Sequence, residues 1–116
     1  MRVLVRDLIG SEDAITLDDG QMVYDRIHPA LAAGQTVELD FAGVNVFAFP
    51  FFNASVGQLL RDLEPDDLNR LLSVSNLGPV GDMVLRRVIQ NAKRYHRDPD
   101  YHKAIDQVLE TMSGEA

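Results

Sequence analysis

Residues 37–57 read VELDFAGVNVFAFPFFNASVG, and the order of features in this run decides the fold. Thr36 to Phe41 alternates apolar and polar side chains and is bounded by Gly34 and Gly43, which predicts a strand. Val44 to Phe47 continues it or forms a further short strand. Pro50 stands where a helix begins, in the position that proline favours. Phe52, Val56, Leu59, Leu60 and Leu63 then recur at helical spacing, and Pro65 stops them. A strand, a glycine turn and a helix in this order predict an α/β domain.

Upstream, Val3 to Ile9 is apolar and ends at Gly10-Ser11, which predicts a first strand. Ile15-Thr16-Leu17 reads as a short strand or as the approach to a helix, with Thr16 and Asp19 spaced like a capping box. Val23, Ile27, Ala30 and Leu31 mark a helix within residues 20–33, stopped by Gly34. Pro29 inside it predicts a kink, or an end near His28. Downstream, residues 66–72 predict a helical turn leading into a strand, Leu71 to Ser75. After Gly78-Pro79, a stripe of Val80, Val84, Leu85, Val88, Ile89, Ala92 and Tyr95 predicts a long helix. Asp98 and Pro99 suit the cap and first position of a last helix, with Tyr101, Ala104, Ile105, Val108, Leu109 and Met112 on one side. The expected architecture is a small mixed sheet of about four strands with helices packed mainly on one face. A single domain spans 1–116, with 98–113 a C-terminal helix packed on it.

The chain has 116 residues, 46% hydrophobic and 25% charged, the composition of one soluble globular domain. It has no cysteine, which excludes disulfides and thiolate metal sites. The start, Met1 to Asp7, has no apolar signal-peptide core. The longest uncharged stretch, Phe41 to Leu60, includes Asn45, Pro50, Asn53, Ser55, Gly57 and Gln58, and these polar and helix-breaking residues argue against membrane insertion. The expectation is a cytoplasmic protein with no membrane association. A net charge of −7 opposes nonspecific nucleic-acid binding, where cations must neutralise phosphates.

In Leu39-Asp40, Gly43-Val44, the apolar run after them and the following helix, the chain resembles the STAS-like family, relatives of anti-sigma-factor antagonists. The later strand Leu72-Ser73-Val74-Ser75-Asn76 and the helix 80–95 fit the same order, so the resemblance covers roughly residues 1–96. It implies a bacterial signalling switch that binds a protein, such as a histidine-kinase-type ATPase or an anti-sigma-like partner. The family carries a regulatory Ser or Thr at the helix start. This chain has Ala48-Phe49-Pro50-Phe51 there, and Ser55 lies about a turn later as the phosphoacceptor candidate. The alternative for Ser55 is a small residue that lets the helix pack closely.

Asp40 is either an acid beside the crevice that open α/β sheets place at strand carboxyl ends, or a side chain that accepts N–H bonds from its own turn. All five phenylalanines, Phe41, Phe47, Phe49, Phe51 and Phe52, fall within twelve residues. Adjacent Phe51 and Phe52 cannot share one buried helical face, so at least one is expected to be open to a partner unless the C-terminal helix covers it. The expected partner-binding set is Asp40, Phe49, Phe51, Asn53 and Ser55. A basic patch, Arg86, Arg87, Lys93 and Arg94, is either a solvated face or the contact of a nucleic-acid-linked regulator using the helix 80–97.

Asp18-Asp19 and Asp66-Asp67 are carboxylate pairs at expected helix starts, where negative charge is favoured. His96, Asp98, Asp100 and His102 include metal-capable groups, but Asp98 suits a cap better. The sequence has no P-loop, no nucleophile elbow and no dinucleotide fingerprint. The expectation is a non-enzymatic chain without cofactor or metal, monomeric or weakly dimeric. A small enzyme using Asp40 with His28 or His96 is the remaining alternative.

Overall fold

The computed structural model describes residues 1–97. Three parallel strands form the sheet in the order β1–β3–β5: β1 (Arg2–Leu4), β3 (Val37–Asp40) and β5 (Leu72–Ser75). A separate two-stranded parallel ladder pairs β2 (Asp13–Ala14) with β4 (Val46–Phe47). The helices are α1 (Val5–Ile9), α2 (Leu17–Ala32), α3 (Phe49–Ser55), α4 (Pro65–Leu71) and α5 (Gly78–Arg97), with a 3-10 helix at Gly57–Arg61. The domain is therefore α/β. The single mixed sheet of about four strands is replaced by two parallel ladders, because β4 finds its partner in the loop before α2: Asn45 N–H donates to the Glu12 carbonyl (2.8 Å) and Ala48 N–H to that of Ala14 (3.0 Å).

Strand register sorts the sheet's two faces. Val3, Leu39 and Val74 stand in one row and Val37 with Leu72 in the next, all toward the helices. Arg2, Glu38 and Ser73 share a row on the opposite, polar face, as do Leu4, Asp40 and Ser75. Period-two alternation thus assigns Leu39 to the core, where it is fully buried.

Three local expectations fail for identifiable reasons. The stretch from Val3 to Ile9 is not one strand. It turns helical at Val5, because Val5, Leu8 and Ile9 fall at i, i+3 and i+4 and pack together onto the core. Gly10 ends that helix in the left-handed region (φ 69°), its N–H donating to the Arg6 carbonyl at 2.9 Å. Pro29 does not end α2. It sits in the last turn, and only the Asp25 carbonyl loses its helical donor. The helix that starts near Pro50 stops at Ser55 rather than continuing toward Leu63. Glycine is a poor α-helix former, and at Gly57 the chain tightens into the 3-10 helix Gly57–Arg61.

Other expectations hold. Thr16 caps α2, its Oγ1 accepting from Asp19 N–H at 3.1 Å. Gly34 follows the helix end with φ 81°. α4 leads directly into β5. The expected C-terminal helix, 98–113, lies outside the described residues.

The core closes around α3. It lies between α2 and α5, so it has neighbours around most of its girth and buries Phe51, Phe52, Ala54 and Ser55. Gly20 makes the α2 approach possible: a Cβ there would sit 2.3 Å from the Phe51 carbonyl oxygen and 2.8 Å from Ala54 Cβ.

Candidate functional site

β3 ends in Asp40, and the chain turns back through Phe41, Ala42 and Gly43, with Val44 N–H donating to the Phe41 carbonyl at 2.9 Å. Gly43 adopts φ 81°, a conformation costly for a residue with a Cβ. The buried carboxylate of Asp40 organises this turn. Its Oδ1 accepts from Ala42 N–H (2.9 Å) and from Asn76 Nδ2 (2.9 Å), and its Oδ2 pairs with the Arg2 guanidinium. Asn76 reaches it from the end of β5 by adopting φ 57°, a left-handed conformation that asparagine tolerates. Asp40 therefore links the end of β3 to the end of β5 through Asn76 and to the start of β1 through Arg2, and it accepts from its own turn as the turn-holding reading expects.

These donors favour the ionised form. The hydrogen bond from Asn76, then that from Ala42 N–H, then the one from Arg2 hold the Asp40 pKa down at about 2, against an ordinary 3.8. A carboxylate with a lowered folded-state pKa stabilises the fold above the unfolded-state value and loses that contribution as pH falls toward the folded-state value. Wild-type stability is thus expected to exceed that of Asp40→Asn near neutrality, with the gap closing between pH 4 and 2. Thermal melts of both proteins across that range check this, and a constant gap would contradict it.

The structure separates the rest of the expected set. Phe49 is 41% exposed, and Asn53 is exposed on the same helix. Phe51 is 0% exposed, as is Phe52, so the argument that one of the pair must face outward fails. The two rings meet edge-on with centroids 5.3 Å apart, and both pack on Phe41, at 6.4 and 5.7 Å. A helix embedded between two others buries adjacent positions in different directions. Ser55 is also wholly buried, and its hydroxyl has no hydrogen-bond partner. Phe51 and Ser55 therefore form no part of a partner surface, and Ser55 is closed to a kinase in this conformation.

Phe49 has exposed apolar company that the sequence reading missed. Val46 precedes it on β4, and Val80 (62% exposed) and Met83 (63%) lie one turn apart at the start of α5. The elements touch, since a Cβ at Gly81 of α5 would lie 3.2 Å from the Phe47 ring. The apolar periodicity of the sequence places Val80 in the buried stripe. The stripe actually runs through Gly81, Val84, Leu85 and Val88, which leaves Val80 and Met83 beside it. The signal was present, because Met83 falls outside the apolar periodicity while lying three residues from Val80.

Of the basic patch, Arg86 Nε pairs with Asp82 Oδ2 at 2.7 Å one turn earlier, an exposed helix-surface bond. Arg87 and Lys93 are exposed. Among the possible acid–base groups, His28 stacks on Tyr24 (4.9 Å) and bonds Asp62 at 2.8 Å on a different set of elements from Asp40. Among the described residues, no group of three or more His, Asp or Glu side chains is placed to hold a metal, and no helix is long and apolar enough to cross a membrane.

No curated protein and no solved structure matches the chain. A family model described as a STAS-like domain of unknown function (DUF4325) matches residues 19–82, more than half of the chain. That span runs from the first turn of α2 through Asp40, the α3 core and β5 into the start of α5. With strand, turn and helix in the order the resemblance implied, the chain belongs to the STAS-like domain family.

Proposed function

We propose that this chain is a non-catalytic regulatory domain that binds a protein partner through the surface carrying Val46, Phe49, Val80 and Met83. One observation supports this reading above the others: four large apolar side chains are exposed on touching elements, around an aromatic at a helix start. Exposed apolar patches of this kind mark interaction sites, and aromatic anchors tend to dominate their energy. They lie on the side of the sheet where strand carboxyl ends open, the region in which α/β folds place ligands. Asp40 acts indirectly by holding the turn that presents β4 and Phe49, and Asn53 offers a polar contact beside them. The STAS likeness points to a histidine-kinase-type ATPase or an anti-sigma-like protein as the partner class.

The test uses the partner co-purified from the native cell, with amide exchange measured on this chain alone and in the complex. The expected result is protection of residues 46–50 and 80–84. Protection confined to residues 86–94, with binding that weakens steeply as salt rises, would move the site to the basic face of α5 and support a nucleic-acid-like or acidic partner instead.

A further inference from the structure

The Phe49 surface continues on one side into a stretch that is acidic and apolar together. β2 and β4 pair in parallel, with Asp13 opposite Val46 and Ala14 opposite Phe47, and Ala48 N–H then donates to the Ala14 carbonyl at 3.0 Å. The chain after Ala14 therefore starts out beside Phe49 and enters α2 at Leu17. Ile15 and Leu17 are both exposed, Leu17 to 59%. Residues 11–25 hold five carboxylates and no Lys or Arg. Two of the five are satisfied locally: Glu12 pairs with Arg6 at 3.2 Å, and Asp25 accepts from Gln21 Nε2 at 2.9 Å. The other three are Asp13, Asp18 and Asp19, whose carboxylates meet no cation among the described residues; the backbone N–H groups of Asp13 and Asp19 donate to Ser11 Oγ and Thr16 Oγ1. A helix start favours negative charge, which accounts for Asp18 and Asp19. It does not account for Asp13, nor for two large apolar side chains left open between the acids.

We propose that this surface takes a basic, apolar segment of the protein partner, its Lys or Arg side chains over Asp13, Asp18 and Asp19 and its apolar side chains over Ile15, Leu17 and Phe49. The inference rests on the reading of the Phe49 surface as the partner site and names the chemistry of what docks there. Charge complementarity selects the occupant. Unpaired carboxylates bordering an apolar surface attract cations, and they repel an acidic chain, a nucleic acid or an anionic membrane. The net charge of −7 steers in the same sense. Lys and Arg also suit the mixed surface by shape, because their stems cover apolar area while their heads reach a carboxylate; one such side chain serves both Leu17 and the adjacent Asp18. Arg86 and Arg87 lie further along α5 than Val80 and Met83, so a basic segment runs from Phe49 toward the start of α2 and not along α5.

The probes are three short amphipathic peptides of equal length, built of leucine with lysine, with glutamine or with glutamate. Each is titrated into the full chain while backbone amide NMR shifts are followed. The leucine–lysine peptide should shift residues 13–19 and 46–50, bind about tenfold more tightly than the leucine–glutamine peptide at low salt, and lose that advantage as salt rises. The leucine–glutamate peptide should not bind there. Asp13→Asn with Asp18→Asn and Asp19→Asn, which leaves the Thr16 cap in place, should bring the lysine peptide down to the affinity of the glutamine peptide. Equal binding of the lysine and glutamine peptides at these residues overturns the proposal while leaving the apolar surface as the partner site. A lysine advantage that survives the triple substitution also overturns it, because the attraction then comes from the overall charge. Shifts confined to other parts of the chain overturn both the proposal and the reading beneath it.

Discussion

Phe51→Ala is expected to lower the unfolding free energy by about 3–5 kcal/mol, the usual cost of emptying a large aromatic from a packed core. Phe51 is wholly buried, its ring meets Phe41 and Phe52 edge-on, and its backbone carbonyl lies against Gly20 of α2. The cavity would open beside the Phe41 and Phe52 rings, in a core packed too closely to collapse fully into it. Domains of this size are stable by only about 5–15 kcal/mol, so the variant would sit close to unfolding. Phe49→Ala, in contrast, should leave the denaturant midpoint nearly unchanged, because its ring is substantially exposed. Equal midpoint shifts for the two variants would show that α3 is rotated from the arrangement described.

Leu39→Ala should cost about 2–4 kcal/mol. Leu39 is fully buried at the centre of the central strand, in register between Val3 and Val74. Its loss removes contacts from the only strand paired on both sides among the described residues. Chemical denaturation measures the effect as a lower midpoint with little change in slope. An unchanged midpoint would mean that Leu39 faces the polar side of the sheet.

The parts legible in the sequence were those where one local rule acted alone. The alternation from Thr36 to Phe41 gave β3 and its inward face, Thr16 gave the α2 cap, and Gly34 gave its end. The parts misread were those where tertiary neighbours chose between two permitted local structures. Val3 to Ile9 has both strand-forming residues and a helical triplet at Val5, Leu8 and Ile9, and packing on the core favoured the triplet. The phenylalanine pair was judged against one buried face, yet α3 is covered on several sides. In the candidate site, Asp40 and Phe49 were legible from their places at a strand end and a helix start. Asn76 and Arg2 were not, since nothing local to them announces a shared contact with Asp40 across 36 and 38 residues. Val46 and Met83 were missed because their exposure depends on how β4 and α5 meet.

The central claim is that the exposed apolar surface around Phe49 captures a protein partner. It is tested most directly by titrating the co-purified partner against wild type, Phe49→Asp and the charge reversal Arg86→Glu with Arg87→Glu, each first shown to retain the wild-type melting temperature. Phe49→Asp should weaken binding tenfold or more, consistent with the loss of an aromatic anchor worth about 2 kcal/mol, while the charge reversal should have a smaller effect. Wild-type affinity for Phe49→Asp, together with loss of binding on charge reversal, would contradict the account and place the contact on α5.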